Sequence, residues 1–113
     1  PPPTALPAAH KWLIQVWETS PMVAADQEQD IGISVQRDGL LFEGAQASLV
    51  VELPDGTVRN NDFPPTGLDG VAHIKVEPIE TANGTIIPYQ VCIASESGDK
   101  YCVRQSFLIW TTP

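Results

Sequence analysis

The chain has 113 residues, of which 42% are apolar and 18% are charged, and its 6 basic and 14 acidic side chains give a net charge of −8. A chain of this length can form one hydrophobic core but not two, and its composition is too apolar and too weakly charged for a disordered protein. The acidic excess repels nucleic-acid phosphates and anionic lipids, and the sequence has no apolar run of about 18 residues, so we expect no nucleic-acid partner and no membrane insertion.

Both ends of the chain contain prolines, which fix φ and favour extended segments. We therefore predict a Pro-rich linker over residues 1–9, one domain over 10–110 and the start of a second linker over 111–113. A domain between two linkers is typical of one module in a larger multidomain protein. The alternative is a free-standing protein with irregular termini.

Apolar side chains recur at every second position between these segments, which predicts strands with one buried face and one more exposed face. The predicted strands lie near residues 10–18, 28–36, 45–53, 57–62, 70–77, 86–95 and 100–110. Their alternating apolar residues are Ile31, Ile33, Val35, Ala45, Ala47, Leu49, Val51, Leu53, Ala72, Ile74, Val76, Tyr89, Val91 and Ile93. Residues 22–25 come nearest to a helical pattern, but Pro21 and the shortness of the segment argue against a helix.

Short turn sequences separate the predicted strands, and each contains a residue that tolerates a positive φ. These turns are Asp38-Gly39, Pro54-Asp55-Gly56, Asp69-Gly70, Asn83-Gly84 and Ser97-Gly98-Asp99. The tripeptide Asn83-Gly84-Thr85 also matches the N-glycosylation sequence, although a turn by itself explains it. Seven short strands in one domain favour an all-β immunoglobulin-like Greek-key sandwich, with a small barrel as the alternative.

The two cysteines, Cys92 and Cys102, flank the last predicted turn. One antiparallel register places the cysteines opposite each other on one face and their apolar neighbours on the other, with the pairs Val91–Val103, Cys92–Cys102 and Ile93–Tyr101. Because opposed cysteines lie within disulfide distance, we predict a bridge outside the core that contributes about 3 kcal/mol. A disulfide implies an oxidising compartment, whereas the alternative is a pair of free thiols in a cytosolic protein.

We find no residue pattern typical of catalysis or cofactor binding, and we expect a chain that is not an enzyme and carries no cofactor. His10 and His73 are interpreted as surface residues, the first beside the N-terminal linker and the second on the outward face of a strand. Sequence motifs of hydrolases, zinc peptidases and nucleotide-binding loops are absent. Asp55, Asp69 and Asp99 could join a calcium site only if their loops converge at one end of the sandwich.

Three tryptophans lie near the two ends of the predicted domain and are candidates for aromatic contact with a sugar or a protein: Trp12, Trp17 and Trp110. The alternative is that their rings fill the core where the first and last strands lie close together. Trp12 and Trp17 differ by an odd number of positions, so an unbroken strand points them to opposite faces. The sequence therefore predicts that one of these two rings is exposed or contacts a neighbouring domain.

Two turn-rich stretches resemble those of a known family of modules. They are Gln36-Arg37-Asp38-Gly39 with Glu43-Gly44-Ala45-Gln46-Ala47, and Leu53-Pro54-Asp55-Gly56-Thr57 with Thr66-Gly67-Leu68-Asp69-Gly70-Val71-Ala72. Over roughly residues 28–94 the chain is similar to bacterial extracellular Ig-like domains of the invasin and intimin type, and to related macroglobulin-like and carboxypeptidase-regulatory-like modules. The resemblance implies a Greek-key sandwich used in series as a spacer or adhesion module, with no catalytic residues.

Three functional hypotheses follow from the sequence. The first is a non-catalytic structural or interaction module of a secreted or cell-surface, bacterial multidomain protein, whose partners are neighbouring domains and an unknown protein or glycan. The second is a carbohydrate-binding accessory module of a secreted hydrolase, which requires exposed, coplanar aromatic rings or a polar cleft. The third is an enzyme fragment, which requires a pocket that unites His73 with a serine and an acid.

Overall fold

The structure, a computed structural model, describes residues 11–94, 98 and 100–111. These residues form nine strands: β1 (Trp12–Glu18), β2 (Met22–Val23), β3 (Gln29–Arg37), β4 (Leu40–Leu41), β5 (Ala47–Glu52), β6 (Val58–Asp62), β7 (Val71–Val76), β8 (Thr85–Ala94) and β9 (Lys100–Ile109). Within the described ranges there is no helix that could cross a membrane. The predicted linker over residues 1–9, His10 and Asp99 lie outside the described residues.

The strands form two sheets. In the first sheet, β3 pairs with β1 on one side and with β7 and the short β4 on the other, all antiparallel. In the second sheet the strand order is β2-β9-β8-β5-β6, and only the pairing of β2 with β9 is parallel. The chain therefore changes sheets between β1 and β2, between β2 and β3, between β4 and β5, between β6 and β7, and between β7 and β8, as immunoglobulin-type sandwiches do.

The core lies between the inner faces of the sheets. Its fully buried aliphatic residues include Ile31, Ile33 and Val35 of β3, Leu49 and Val51 of β5, and Ile87 and Val91 of β8. Each set falls at alternate positions along its strand, because successive side chains of a strand point to opposite faces. Burial of these side chains is the main stabilising contribution to a domain of this kind.

The all-β prediction is confirmed, and the seven strands of five or more residues match the seven predicted ones to within two residues at each end. The two additional strands, β2 and β4, have two residues each. Residues 22–25 are not helical, and Met22 and Val23 pair instead with Leu108 and Ile109. Strands as short as β2 and β4 form only because a longer strand lies beside them, and two residues are too few to show a periodic pattern in the sequence.

The direction of the strands places the two ends of the described chain far apart. Trp12 at the start of β1 contacts Tyr101 at the start of β9, and Glu18 at the end of β1 is hydrogen-bonded to Tyr89, which lies opposite Gln105 farther along β9. β1 and β9 therefore both run from the end where Lys11 lies toward the end where Thr111 lies. We refer to these as the Lys11 end and the Thr111 end. The segment at residues 38–46, which contains β4, and the loop at 63–70 lie at the Lys11 end. The segment at 19–28, which contains β2, and the loops at 53–57 and 77–84 lie at the Thr111 end.

Candidate functional site

The predicted disulfide is present. Cys92 and Cys102 are directly opposed in the β8–β9 hairpin, with Val91 opposite Val103 and Ile93 opposite Tyr101. Both cysteines lie on the outer face of the second sheet and outside the hydrophobic core cluster, as predicted. Their exposure differs: Cys92 is buried, whereas Cys102 is exposed.

Trp12 packs at the Lys11 end, where it partly closes the core. Its ring lies 5.1 Å from that of Phe42 and 6.2 Å from that of Tyr101 in β9. The guanidinium of Arg37 lies 5.9 Å from the same ring and 4.6 Å from Phe42, a distance at which cations are attracted to aromatic faces. The position of Trp12 therefore fits the alternative interpretation, in which a tryptophan ring fills the core where the first and last strands lie close together.

Trp17 lies on the outer face of the first sheet, opposite to Trp12, as the odd spacing predicts. It is directly opposed to Gly32 of β3, which in turn is opposed to His73 of β7. A Cβ atom on Gly32 would lie only 2.4 Å from Cε2 of Trp17, so the indole ring occupies the space above the glycine. The ring also contacts His73 edge-on at 5.8 Å and is only partly exposed.

His73 is exposed on an outward face, as predicted, but it has a partner. Its Nδ1 lies 2.8 Å from Oδ1 of Asp30, within hydrogen-bond distance. No serine, threonine or cysteine is hydrogen-bonded to His73 within the described ranges, and the pair lies on an open sheet surface. The acid and the histidine are therefore hydrogen-bonded to each other, and the hydrogen-bonded nucleophile that a catalytic arrangement contains is not among the described contacts of His73.

Trp110 is the most exposed of the three tryptophans, with 44% of its surface accessible. It follows β9 at the Thr111 end, and its Cζ3 lies 3.9 Å from the position of a Cβ on Gly84. β9 has ten residues, and a strand rises about 3.3 Å per residue, so Trp110 is about 30 Å from the Trp12–Tyr101 contact. The three rings therefore do not form one coplanar aromatic platform for a sugar chain.

The structure separates two of the acidic residues that a calcium site would need. Asp55 lies in the β5–β6 turn at the Thr111 end, and Asp69 precedes β7 at the Lys11 end. Each carboxylate accepts hydrogen bonds in its own turn, Asp55 from the backbone and hydroxyl of Thr57 and Asp69 from the backbone of Val71. The hydrogen bonds from Thr57 lower the pKa of Asp55. The idea that these two residues converge is therefore wrong, and the described residues contain no cluster of three metal-ligating side chains.

Two hydrogen-bonded pairs that the sequence did not reveal hold the ends of the described chain. At one end, Oδ1 of Asp38 accepts from the backbone N–H of Lys11 at 2.8 Å, and the backbone N–H of Asp38 donates to the carbonyl of Lys11 at 2.7 Å. At the other end, Oδ1 of Asn83 accepts from the backbone N–H of Thr111 at 2.7 Å, and Nδ2 donates to its carbonyl at 3.0 Å. Asp38 thus holds the backbone N–H and carbonyl of Lys11, and Asn83 holds those of Thr111.

The residues before Thr111 are held as well. The N–H of Trp110 donates to the carbonyl of Val23, and the N–H of Ala25 donates to Oγ1 of Thr111. The predicted Asn83-Gly84 turn is present, with Gly84 at φ 88°, but it is not a hairpin, because β7 and β8 belong to different sheets. The Asn83 side chain of the glycosylation sequence is therefore already engaged in holding the chain end.

Two inward-facing polar side chains are also satisfied inside the sandwich. The hydroxyl of Tyr89 in β8 donates to Oε2 of Glu18 in β1 at 2.9 Å, which links the two sheets. Burial raises the pKa of Tyr89 well above its ordinary value, and the hydrogen bond to Glu18 adds to the shift. The buried Gln29 donates to the carbonyl of Ser20 and accepts from its N–H, and so holds the loop after β1.

A cleft with a volume of about 440 Å³ lies at the Thr111 end. It is lined by Leu53, Pro54, Asp55, Arg59, Pro78, Ile79, Glu80 and Thr81. The guanidinium of Arg59 donates to the backbone carbonyls of Glu77 and Pro78, so its charge joins β6 to the segment after β7. Arg59 of this cleft therefore contributes to the contact between the two sheets.

The chain matches no protein-family model and no curated protein in sequence. Its fold is similar to a tetra-tandem repeat in the extending region of a large adhesion protein, with a TM-score of 0.69 and 12% identity over 90% of this chain and 25% of that chain. It is also similar to a lipoprotein of Bacteroides thetaiotaomicron, with a TM-score of 0.53 and 13% identity over 96% of this chain and 88% of that chain.

A third similar structure is the cell-surface-expressed multi-modular chitinase ChiW of Paenibacillus sp. str. FPU-7, with a TM-score of 0.50 and 16% identity over 82% of this chain. The chain spans only 8% of that chitinase and a quarter of the adhesion-protein structure, so it corresponds to one module of each. At these identities the similarity shows the fold alone. The chain is thus a β-sandwich of a type found in bacterial multidomain proteins.

Proposed function

We propose that this chain is a non-catalytic spacer or adhesion module of a secreted or cell-surface multidomain protein. The observation that carries the proposal is the fixation of Lys11 and Thr111 at opposite ends of one sandwich. A chain that enters at one end and leaves at the other, with both backbone ends hydrogen-bonded, transmits a fixed distance and direction to whatever adjoins it. Such geometry suits a module that positions other domains.

Two further observations support this role and its location. Disulfides are stable in oxidising compartments and rare in reducing ones, so the Cys92–Cys102 bond favours an exported protein. One similar structure is a repeat of a large adhesion protein and another is a cell-surface-expressed multi-modular chitinase, and an extracellular module is compatible with both. The enzyme hypothesis has less support, because no serine, threonine or cysteine in the described ranges is hydrogen-bonded to the His73 of the Asp30–His73 pair.

The carbohydrate-binding hypothesis has less support. Trp12 and Trp17 are covered on one side by protein, and Trp110 is too far from Trp12 to share a sugar chain of a few residues. A glycan array probed with the wild-type chain and with Trp110→Ala is the direct comparison. Binding that Trp110→Ala abolishes would favour a sugar-binding module over a spacer.

The spacer role is tested by the mobility of the two chain ends. We expect backbone ¹⁵N order parameters of about 0.85 at Lys11 and Thr111, equal to those of the strands. Asn83→Ala removes both hydrogen bonds to Thr111 and is expected to lower its order parameter below about 0.6, whereas Asn60→Ala, at an exposed position of β6, is a matched control that leaves it unchanged. Order parameters below about 0.6 at Lys11 or Thr111 of the wild-type chain would contradict the proposed role.

A further inference from the structure

The outer face of the first sheet carries an aromatic ring that lies flat on it. Three adjacent indole atoms of Trp17, Cε2, Cζ2 and Nε1, lie 2.4, 2.5 and 2.6 Å from the position of a Cβ on Gly32. Such nearly equal distances mean that the ring turns its face, and not its edge, to the glycine. Gly32 is buried beneath the ring, whereas Trp17 is still partly exposed. The other face of the indole therefore points away from the sheet.

Polar side chains surround this ring. The imidazole of His73 is inclined at 81° to the indole, with the ring centroids 5.8 Å apart, so it projects from the sheet beside the flat ring. Nδ1 of His73 is hydrogen-bonded to Asp30, and Nε2 takes part in none of the hydrogen bonds among the described residues. Gln15 lies two positions before Trp17 on the same face, and Ser34 is opposite Gln15. We call Trp17, His73, Gln15 and Ser34 the indole site.

We propose that the indole site binds one sugar unit with equatorial hydroxyl groups, such as a β-glucopyranose unit of a glycan. The C–H groups of such a sugar lie on its two faces, and the electron-rich face of an indole attracts them. Its hydroxyl groups project from the rim, toward the imidazole nitrogen, amide and hydroxyl of the site, and a few such polar groups fix the orientation of a ligand. One sugar unit requires one ring face, so the distance between Trp12 and Trp110 does not affect this site.

Other classes of ligand fit the indole site less well. A nucleotide would bring phosphate groups to a chain of net charge −8, which repels them. Quaternary ammonium groups are bound in cages of several aromatic rings, whereas this site offers one indole face. An apolar side chain of a partner protein would bury Gln15 and Ser34 without hydrogen-bond partners, at a cost in free energy. A sugar matches both the apolar ring and the polar groups beside it.

This inference rests on the proposed function, because it names the class of ligand that the chain would hold as an adhesion module. The two can nevertheless fail separately. The hydrogen bonds that fix Lys11 and Thr111 do not involve the indole site, so their order parameters test the spacer geometry whether or not a sugar binds.

Titration with cellobiose, followed by ¹H–¹⁵N NMR spectroscopy, tests the site. We expect saturable shifts at the amides of Trp17, Gly32 and His73 with a Kd of about 1–10 mM, a range suited to a small ligand on one ring. Sorbitol carries hydroxyl groups but has no ring face, and it should cause no saturable shift. Trp17→Ala should weaken cellobiose binding about tenfold or more, whereas Trp110→Ala, the matched control, should leave the Kd unchanged.

A second variant tests the orientation of the ring while the tryptophan and every polar group are kept. Gly32→Ala places a methyl group where the indole lies, so it should lift the ring and weaken cellobiose binding by about threefold or more. The dispersion of the NMR spectrum shows that each variant is folded.

Three results would overturn the proposal. The first is the absence of a saturable shift up to about 50 mM cellobiose, well above the expected Kd. The second is a Trp17→Ala variant, folded by its spectrum, that binds as tightly as the wild type. The third is tighter binding of choline or of a proline-rich peptide than of cellobiose, which would assign the ring to another class of ligand.

Discussion

Gly32 and Trp17 face each other across β1 and β3, and the glycine is what allows the indole ring to lie on the sheet. An aromatic ring over a glycine on a neighbouring strand replaces the missing side chain and excludes water from the backbone. The sequence indicates that Trp12 and Trp17 point to opposite faces, but it does not indicate that Gly32 lies opposite Trp17. That pairing depends on the register of two strands separated by a loop, which alternation within one strand does not determine.

We expect Gly32→Ala to destabilise the domain by about 1–2 kcal/mol, because the new methyl group displaces the Trp17 ring from the sheet. In a Trp17→Ala background the same substitution should cost less, because the ring that it meets is absent. Urea unfolding of the wild type, both single variants and the double variant gives the coupling free energy. Additive effects of the two substitutions would contradict the contact.

Asp38 and Gln29 differ in how far the sequence predicts their contacts. Asp38 was identified as a turn residue, and it does adopt a positive φ, of 54°, followed by Gly39 at 80°. Its hydrogen bonds to Lys11 depend on how β1 begins beside that turn, and no local pattern contains this information. Gln29 falls in phase with Ile31 and Ile33, so its inward position could have been deduced from the same alternation that located the core.

At the scale of elements, the β8–β9 hairpin was the most predictable part of the fold. Alternation of the apolar residues and the need to oppose the two cysteines selected one register, and the structure has that register. The positions of Asp55 and Asp69 were not predictable, because the end at which a loop lies depends on the direction of every preceding strand. The pairing of β2 with β9 was not predicted, because a strand of two residues leaves no periodic pattern in the sequence.

We expect removal of the disulfide by the double substitution Cys92→Ala and Cys102→Ala to destabilise the domain by about 2–3 kcal/mol, because the closed loop is short. The bridge lies outside the core, so the variant should retain its far-ultraviolet and near-ultraviolet circular dichroism at 25 °C while its urea midpoint falls. Intact mass with an alkylating agent, before and after reduction, establishes the bridge in the wild type. Loss of near-ultraviolet circular dichroism in the variant would mean that the bridge supports core packing.

At the scale of the whole molecule, the two sheets are joined by polar contacts as well as by the core. Tyr89 links β8 to Glu18 of β1, and Arg59 links β6 to the carbonyls after β7. These contacts lie toward the Thr111 end, where the segment that leads to Thr111 is also hydrogen-bonded. A spacer requires that its two sheets do not shift relative to each other, and directional bonds between the sheets limit such movement.

The raised pKa of Tyr89 makes this link sensitive to alkali. An unfolded tyrosine ionises at a pH of about 10, whereas the buried hydroxyl stays protonated, so its stabilising contribution is complete below that pH and is lost above it. We expect Tyr89→Phe to be less stable than wild type by about 1–2 kcal/mol at pH 7 and to lose less stability from pH 10 upward. Tyr101→Phe, which keeps Tyr89, is the control and should follow the wild-type decline. Urea unfolding across this pH range measures the difference, and parallel curves for Tyr89→Phe and wild type would show that the hydroxyl ionises as readily in the folded sandwich as in the unfolded chain.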